Sequence, residues 1–504
     1  MNRISTKGGY PPSCLPGRLQ HGTATLIVGT AVLALSLGAG RLGLCQQRGR
    51  TPNIIFIMVD DLGKEWISCY GAEDIETPHI DRLAAGGMRF DNAYSMPQCT
   101  PTRATLLTGQ YPWRNGWCNH WDVPRWGAGC HFDWKHNVTF ARLLKKVGYA
   151  TAAAGKWQIN DFRVTPDAMQ KHGFDECCMW TGYETGNPPS GKRYWDPYIH
   201  TNDGSKTYEG RFGCDVFVDF LIDFMKRHKD EPMMLYFPMA LTHGPLVNTP
   251  AEPDVTDKMA RHKAMVRYTD AAVGRIVAAL DELEIRQRTI VIFTTDNGTA
   301  GSISGKMNGR MIRGGKASLG ENGCCEPYVV NCPGLVPAGV TTDVLTDFTD
   351  LLPTFCELAG AQLPEGVALD GESIAKVILG KQKDGPREWI MALGHGPAVL
   401  DARGVRPKQD FTDRVVRDRQ YKLWVLGGSS AKLFDLKADP YEENNLIDST
   451  EPAIVAARER LDAIIAACPK QDARPQYDPV PPRPWDRKPG GGKKKEKEGR
   501  KRSR

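Results

Sequence analysis

"NIIFIMVDD", residues 53–61, is an apolar run that stops abruptly at Asp60 and Asp61. It shows no polar alternation, so the strand it predicts is covered on both faces, as in a parallel sheet sandwiched between helices. The design recurs along the chain. "TIVIFTTDNG" (289–298) ends at Asp296 and Asn297, "MMLYFPMALTHG" (233–244) at His243, and "GYATAAAGKW" (148–157) at Lys156. Between these runs lie helical patterns such as "PHIDRLAAGGMRF" (78–90) and "RYTDAAVGRIVAALDELE" (267–284). Strands alternating with helices predict an α/β fold on a large, mostly parallel central sheet. In open sheets of this kind the ligand site lies beyond the carboxyl ends of the strands, which would bring all four polar clusters to one crevice.

Taken singly, each cluster has an ordinary account: paired aspartates cap chain ends, His243 sits in a turn, Lys156 is solvated. Four of them at strand ends, with Cys99 at a helix start, point instead to a site. In "CTPTRATLLTG" (99–109) Thr100 reads as the N-cap, Pro101 as the first helical residue and Gly109 as the stop. Cys99 then stands at a helix N-terminus, where unpaired N–H groups and the helix dipole favour an anion, and Arg103 adds a fixed charge one turn in. A cysteine buried only for packing is the alternative. Asp60, Asp61, Asp296 and Asn297 offer oxygen donors, which select a hard cation, and Ca²⁺ tolerates irregular oxygen shells better than Mg²⁺ does. With no histidine among them, zinc is disfavoured.

The 504 residues are 41% hydrophobic and 25% charged, as in a soluble globular protein. Arg3, Lys7 and Arg18 precede the apolar run 24–40, and Arg41 follows it. Residues 1–46 therefore read as a signal peptide of a secreted or periplasmic protein, or as an N-terminal membrane anchor if left uncleaved. Losing them leaves twelve of the fourteen cysteines. The adjacent pairs Cys177-Cys178 and Cys324-Cys325 lack metal-ligand spacing and read as core or disulfide residues. Residues 50–384 form the predicted catalytic domain. "RVVRDRQYKLWVLGG" (414–428) and "AKLFDLKADP" (431–440) predict short strands in a smaller C-terminal subdomain, 385–467. Residues 468–504 read as a disordered tail whose last part, 483–504, carries a net +8, a solvated run and not a nucleic-acid-binding module. Trp113, Trp117, Trp121, Trp126 and Trp134, with "RYWDPYI" (193–199), form either packing or a stacking platform for a sugar ring or aryl group.

"CTPTRATLLTG" resembles the signature of the type I, formylglycine-dependent sulfatases of the alkaline-phosphatase-like superfamily. "PNIIFIMVDDLG", "TDNG", "RGGKASLGENG" (313–323), "TDLLPTFCELAG" (349–360) and "KLFDLKADPYEENNL" (432–446) are similar to segments of that family in its order. The resemblance spans about residues 52–447. It implies an α/β/α sandwich with a smaller C-terminal subdomain built on an antiparallel sheet, and hydrolysis of an alcohol, sugar or aryl sulfate. It also implies that a formylglycine-generating enzyme oxidises Cys99 to formylglycine (3-oxoalanine), whose hydrate attacks sulfur. By the same resemblance Asp60, Asp61, Asp296 and Asn297, with residue 99, hold one Ca²⁺, Arg103 stabilises the hydrate, Lys156 and Lys316 bind sulfate, and Lys316 and His243 protonate the leaving alcohol.

Two positions depart from the family pattern. Thr102 stands where Ser is usual, which keeps the β-hydroxyl. Gln158, in "GKWQ", stands where a His commonly assists sulfate release, and an amide can hydrogen-bond substrate but takes no proton; His243 is expected to carry that step. Related phosphodiesterases and phosphonate monoester hydrolases tend to carry Asp-His where this chain has Asp296-Asn297. A third possibility is an unmodified Cys99 in a non-catalytic binder of sulfated ligands. Secretion together with the aromatic residues favours a sulfated carbohydrate as the substrate.

Overall fold

The computed structural model describes residues 51–119, 131–182, 191–394, 398–401, 404–407 and 410–478. The predicted signal or anchor, Trp121, Trp126 and the basic run 483–504 lie outside these residues. Among the described residues no helix is long and apolar enough to cross a membrane.

The strands in chain order are β1 (Asn53–Val59), β2 (Met88–Tyr94), β3 (Ala150–Lys156), β4 (Glu176–Trp180), β5 (Tyr198–Thr201), β6 (Gly204–Thr207), β7 (Met233–Pro238), β8 (Thr289–Thr295), β9 (Ser304–Met307), β10 (Arg310–Arg313), β11 (Cys325–Asn331), β12 (Val340–Asp347), β13 (Ile390–Leu393), β14 (Ala398–Asp401), β15 (Gly404–Pro407), β16 (Arg414–Arg417), β17 (Tyr421–Leu426) and β18 (Ser429–Asp435). The principal helices are α1 (Pro78–Ala85), α2 (Cys99–Thr108), α3 (Phe140–Lys146), α4 (Gly213–His228), α5 (Lys258–Glu282), α6 (Leu351–Ala359) and α7 (Pro452–Ala467).

Ten strands form the central sheet in the order β12-β2-β11-β8-β1-β7-β3-β4-β5-β6. The run β8-β1-β7-β3-β4 is parallel throughout, with antiparallel pairing at β11 and at the β5–β6 edge. The four strands predicted to end in functional residues are therefore consecutive neighbours, and their carboxyl ends share one edge. Alternate residues of β1 enter two different cores. Ile54, Phe56 and Met58 pack with residues of α2, α3 and α6, whereas Ile55, Ile57 and Val59 pack with α1, α4 and α5. That division makes the fold a three-layer α/β/α sandwich. β3 and β7 approach so closely that a Cβ on Gly155, whose φ is +126°, would lie 1.9 Å from the Pro238 carbonyl oxygen. Only glycine fits immediately before Lys156.

A second, four-stranded antiparallel sheet, β13-β16-β17-β18, packs with α7 and with Tyr94, Met96, Tyr111 and Trp113 in a third core. Two antiparallel ribbons, β9/β10 and β14/β15, complete the sheets.

Local differences from the sequence reading have simple causes. "PHIDRLAAGGMRF" is helical only to Ala85, because Gly86 and Gly87 end the helix and β2 begins at Met88. α2 begins at Cys99 itself: Gln98 is the extended N-cap, and Thr100 and Pro101 lie inside the first turn. Gly109 ends the helix in the left-handed conformation, φ 67°, as its sequence position predicts. Residues 469–478, read as the start of a disordered tail, run along the fold. Ala473 N–H donates to Trp113 O at 2.7 Å, and Asp472 pairs with the buried Arg414 at 2.8 Å. The described cysteines are free thiols, so the adjacent pairs serve packing among the described residues. Trp113 and Trp117 are buried core residues, and half-buried Trp134 carries the Lys171 ammonium 4.2 Å above its ring.

Candidate active site

The carboxyl ends of β1, β3, β7 and β8 bring Asp60, Asp61, Lys156, His243, Asp296 and Asn297 together, and the α2 N-terminus adds Cys99. Backbone bonds fix the strand ends to one another: Asp60 N–H donates to Leu241 O at 2.7 Å, Asp296 N–H to Val59 O at 2.9 Å and Thr242 N–H to Asp60 O at 2.7 Å. Asp61 then takes the left-handed conformation, φ 60°. A non-glycine residue held there is strained, and such strain concentrates at functional sites.

Each carboxylate meets a cation. Lys156 Nζ lies 2.6 Å from Asp60 Oδ2 with both side chains fully buried, and Arg103 Nη2 lies 2.7 Å from Asp296 Oδ2. Lys316 Nζ lies 2.6 Å from Asp61 Oδ1 and 2.7 Å from Oδ2. Asn297 Nδ2 donates to Asp61 Oδ1 at 2.8 Å, and Arg103 Nη1 donates to Lys156 O at 2.9 Å. The Thr102 hydroxyl sits 2.8 Å from Asp296 O and 2.9 Å from Met96 O, so it ties α2 to the end of β8.

Two overlapping groups could hold a cation. Donor atoms of Asp60, Cys99 and Asp296 lie within 4.8 Å of one another, as do those of Asp60, Asp61 and His243. The His243 Nε2 stands 3.7 Å from Asp61 Oδ2, so a nitrogen donor borders a cluster that the sequence reading composed of oxygens alone. Asp60 Oδ1 and Asn297 Oδ1 are buried without any hydrogen-bond partner. Orphaned acceptors of this kind are costly unless a ligand satisfies them. Two carboxylates and an amide oxygen converging there suit a hard divalent cation such as Ca²⁺.

The electrostatics follow from burial among opposed charges. Burial raises the Asp60 carboxyl, but Lys156, His243 and Arg103 outweigh it and hold the group well below the usual carboxylate range. Burial and the negative charge of Asp60 push Asp296 up despite Arg103. Burial lowers His243, opposed by Asp60 and aided by Lys156, which favours the neutral imidazole. Against burial, Asp61 raises Lys316 and keeps it an ammonium.

The sulfatase family model matches residues 52–361. The chain belongs to the sulfatase family. This sulfatase also matches the model of the N-sulphoglucosamine sulphohydrolase C-terminal region over residues 316–466. It is 33% identical to N-acetylgalactosamine-6-sulfatase of Canis lupus familiaris over 375 residues, covering 69% of this chain and 70% of the relative. It is 28% identical to N-acetylgalactosamine-6-O-sulfatase of Bacteroides thetaiotaomicron over 83% of this chain and 94% of the relative. The crystal structure of Ps i-CgsB superposes with a TM-score of 0.71 at 26% identity, covering 85% of this sulfatase and 95% of that chain.

The sequence reading singled out Gln158 and missed Arg193. Gln158 Oε1 lies 3.5 Å from Cys99 Sγ, in a residue held at φ 65°. Arg193 places Nη1 3.1 Å from His243 Nδ1, with its guanidinium 3.9 Å above the Trp180 ring. Arg193 opens "RYWDPYI", and nothing local in that stretch marks its partner fifty residues away. Tyr194, its neighbour, donates its hydroxyl to Ala240 O at 2.7 Å and so braces the loop that carries His243.

Proposed function

We propose that this sulfatase hydrolyses sulfate esters of carbohydrates in a secreted or periplasmic setting, using a formylglycine made from Cys99. The observation that carries the reading is the placement of Cys99, whose sulfur lies within 4.8 Å of Asp60 and Asp296 oxygens at the first turn of α2, among buried cations. Formylglycine in its hydrated form supplies a hydroxyl nucleophile and a second hydroxyl for release of sulfate. Asp60, Asp61, Asp296 and Asn297 would hold Ca²⁺, which supplies fixed positive charge beside the sulfate oxygens.

The chain's own residues do the remaining work. Arg103, locked on Asp296 and Lys156 O, holds the α2 N-terminus and its positive dipole toward residue 99. Lys156 and Lys316 bind sulfate oxygens from opposite carboxylates, and because both are positioned before substrate arrives they stabilise charge that grows as the ester bond breaks. Lys316, held as an ammonium, donates its proton to the leaving alkoxide. His243, favoured as neutral imidazole, takes the proton from the hydroxyl whose collapse releases sulfate, the role that Gln158 cannot fill.

Sugar sulfates are favoured because the relatives named above act on N-acetylgalactosamine 6-sulfates and Ps i-CgsB has been solved with k-i-k-neocarrahexaose. The apolar run 24–40 behind basic residues supports export, with membrane anchoring if it is retained. The test is the mass of the peptide containing residue 99 from protein co-produced with a formylglycine-generating enzyme, followed by sulfate release from aryl and sugar sulfates. Thiol-to-aldehyde conversion with release is expected. An intact thiol with no turnover would leave a binder of sulfated ligands in its place.

A further inference from the structure

Three cations of the site each face a carboxylate: Lys156 faces Asp60, Lys316 faces Asp61 and Arg103 faces Asp296. Arg193 faces none among the described residues. It is only 4% exposed, its Nη1 rests on a histidine nitrogen, and its Nε is buried with no hydrogen-bond partner. Burying a guanidinium without a counter-anion is unfavourable, and the Trp180 face offsets only part of that cost.

The backbone nevertheless holds Arg193 in place. Gly213 N–H donates to Tyr194 O at 2.6 Å, and a Cβ on Gly213 would lie 2.1 Å from Arg193 O, so the start of α4 is pressed against this segment. His243 stands between the guanidinium and the reacting centre: its Nδ1 lies 2.7 Å from Gly244 O and 3.1 Å from Arg193 Nη1, and its Nε2 stands 3.7 Å from Asp61 Oδ2. Arg193 is thus one imidazole away from the carboxylate that Lys316 holds.

We infer that Arg193 receives a second acidic group of the substrate, a carboxylate or a further sulfate carried by the leaving sugar. This rests on the sulfatase reading and narrows its substrate from sulfated carbohydrates to multiply acidic ones. The planar, permanently charged guanidinium suits both oxyanions. A neutral leaving sugar leaves the guanidinium uncompensated, so the site discriminates against it.

The test is calorimetric titration of the full-length Cys99→Ala protein, in calcium, with three disaccharides: one neutral and monosulfated, one disulfated, and one monosulfated with a uronic acid. At least one doubly acidic ligand is expected to bind about tenfold more tightly than the neutral one. Arg193→Gln is expected to abolish that ratio, and Arg193→Lys, which keeps the charge without the fork, to restore part of it. Whichever doubly acidic ligand shows the preference identifies the oxyanion. Absence of any preference, a ratio unchanged in Arg193→Gln, or equal loss for all three ligands would overturn the inference, the last because it marks a residue that only positions His243. Thermal melts identify unfolded variants, and Arg193→Lys decides if Arg193→Gln is one of them. Failure of the sulfatase reading shows separately, as matured native protein that releases no sulfate from any of the three.

Discussion

The Gln158 carboxamide oxygen lies 3.5 Å from the Cys99 sulfur, beside the residue proposed as the precursor of the nucleophile, and an amide there takes no proton. Gln158→His is expected to add an ionisation between about pH 5 and 8 to the kcat profile for sulfate release. His243→Ala is expected to lower kcat by about two to four orders of magnitude, since a positioned acid–base group is lost. A pH profile identical in native and Gln158→His proteins would show that proton transfer does not pass through position 158.

Calcium should stabilise the fold by satisfying Asp60 Oδ1 and Asn297 Oδ1. At a hundredfold excess over its dissociation constant the expected gain is about 2.7 kcal/mol, read by denaturant unfolding with and without chelator. Asn297→Ala should reduce that gain. Lys156→Met in metal-free protein should cost about 3–5 kcal/mol, because Asp60 is then a buried charge without its partner.

His262, 1% exposed and edge-on to Trp66 at 4.4 Å, should contribute to acid sensitivity alongside the buried His172. Burial, opposed by Asp61 and aided by Lys258, lowers the His262 pKa from 6.5 to about 4. The unfolded chain then binds this proton more readily than the fold does. Stability is therefore lost as pH falls below 6.5 and the loss levels off near pH 4, amounting to about 3 kcal/mol. His262→Phe, which keeps an aromatic ring, should reduce the slope of unfolding free energy over that window, leaving the part owed to His172; an unchanged slope would show that His262 does not contribute.

Lys422 of β17 reaches Glu321 at 2.9 Å and Glu442 at 3.1 Å, joining the small sheet to the turn after Lys316. Burial raises Glu321, but Lys422 and Arg417 outweigh it and hold its pKa at about 2. This stabilisation is present above the ordinary value of 4.5 and is lost as pH falls toward 2. Lys422→Met should cost about 3–5 kcal/mol at neutral pH and less in acid, measured by urea unfolding.

The parallel sheet and most of the site were legible because β1 and β8 are continuous apolar runs that end in side chains with no business in a turn. The start of α2 was not, since Thr100 and Gln98 compete as caps and the extended conformation of Gln98 decides it. The docking of residues 469–478 rests on a bond between Ala473 and Trp113 that no local composition encodes. Arg193 was hidden for the same reason: its meaning depends on His243, which only the fold brings near.

Every residue of α2 from Cys99 to Thr108 is buried, with the Thr102 hydroxyl and the Arg103 guanidinium both bound inside. If Cys99 is converted as proposed, a maturation enzyme that grips this stretch would reach it only while the chain is still open. The yield of active enzyme would then be set by a race between modification and folding, so that a sequence change that merely hastened folding would lower activity without touching the site.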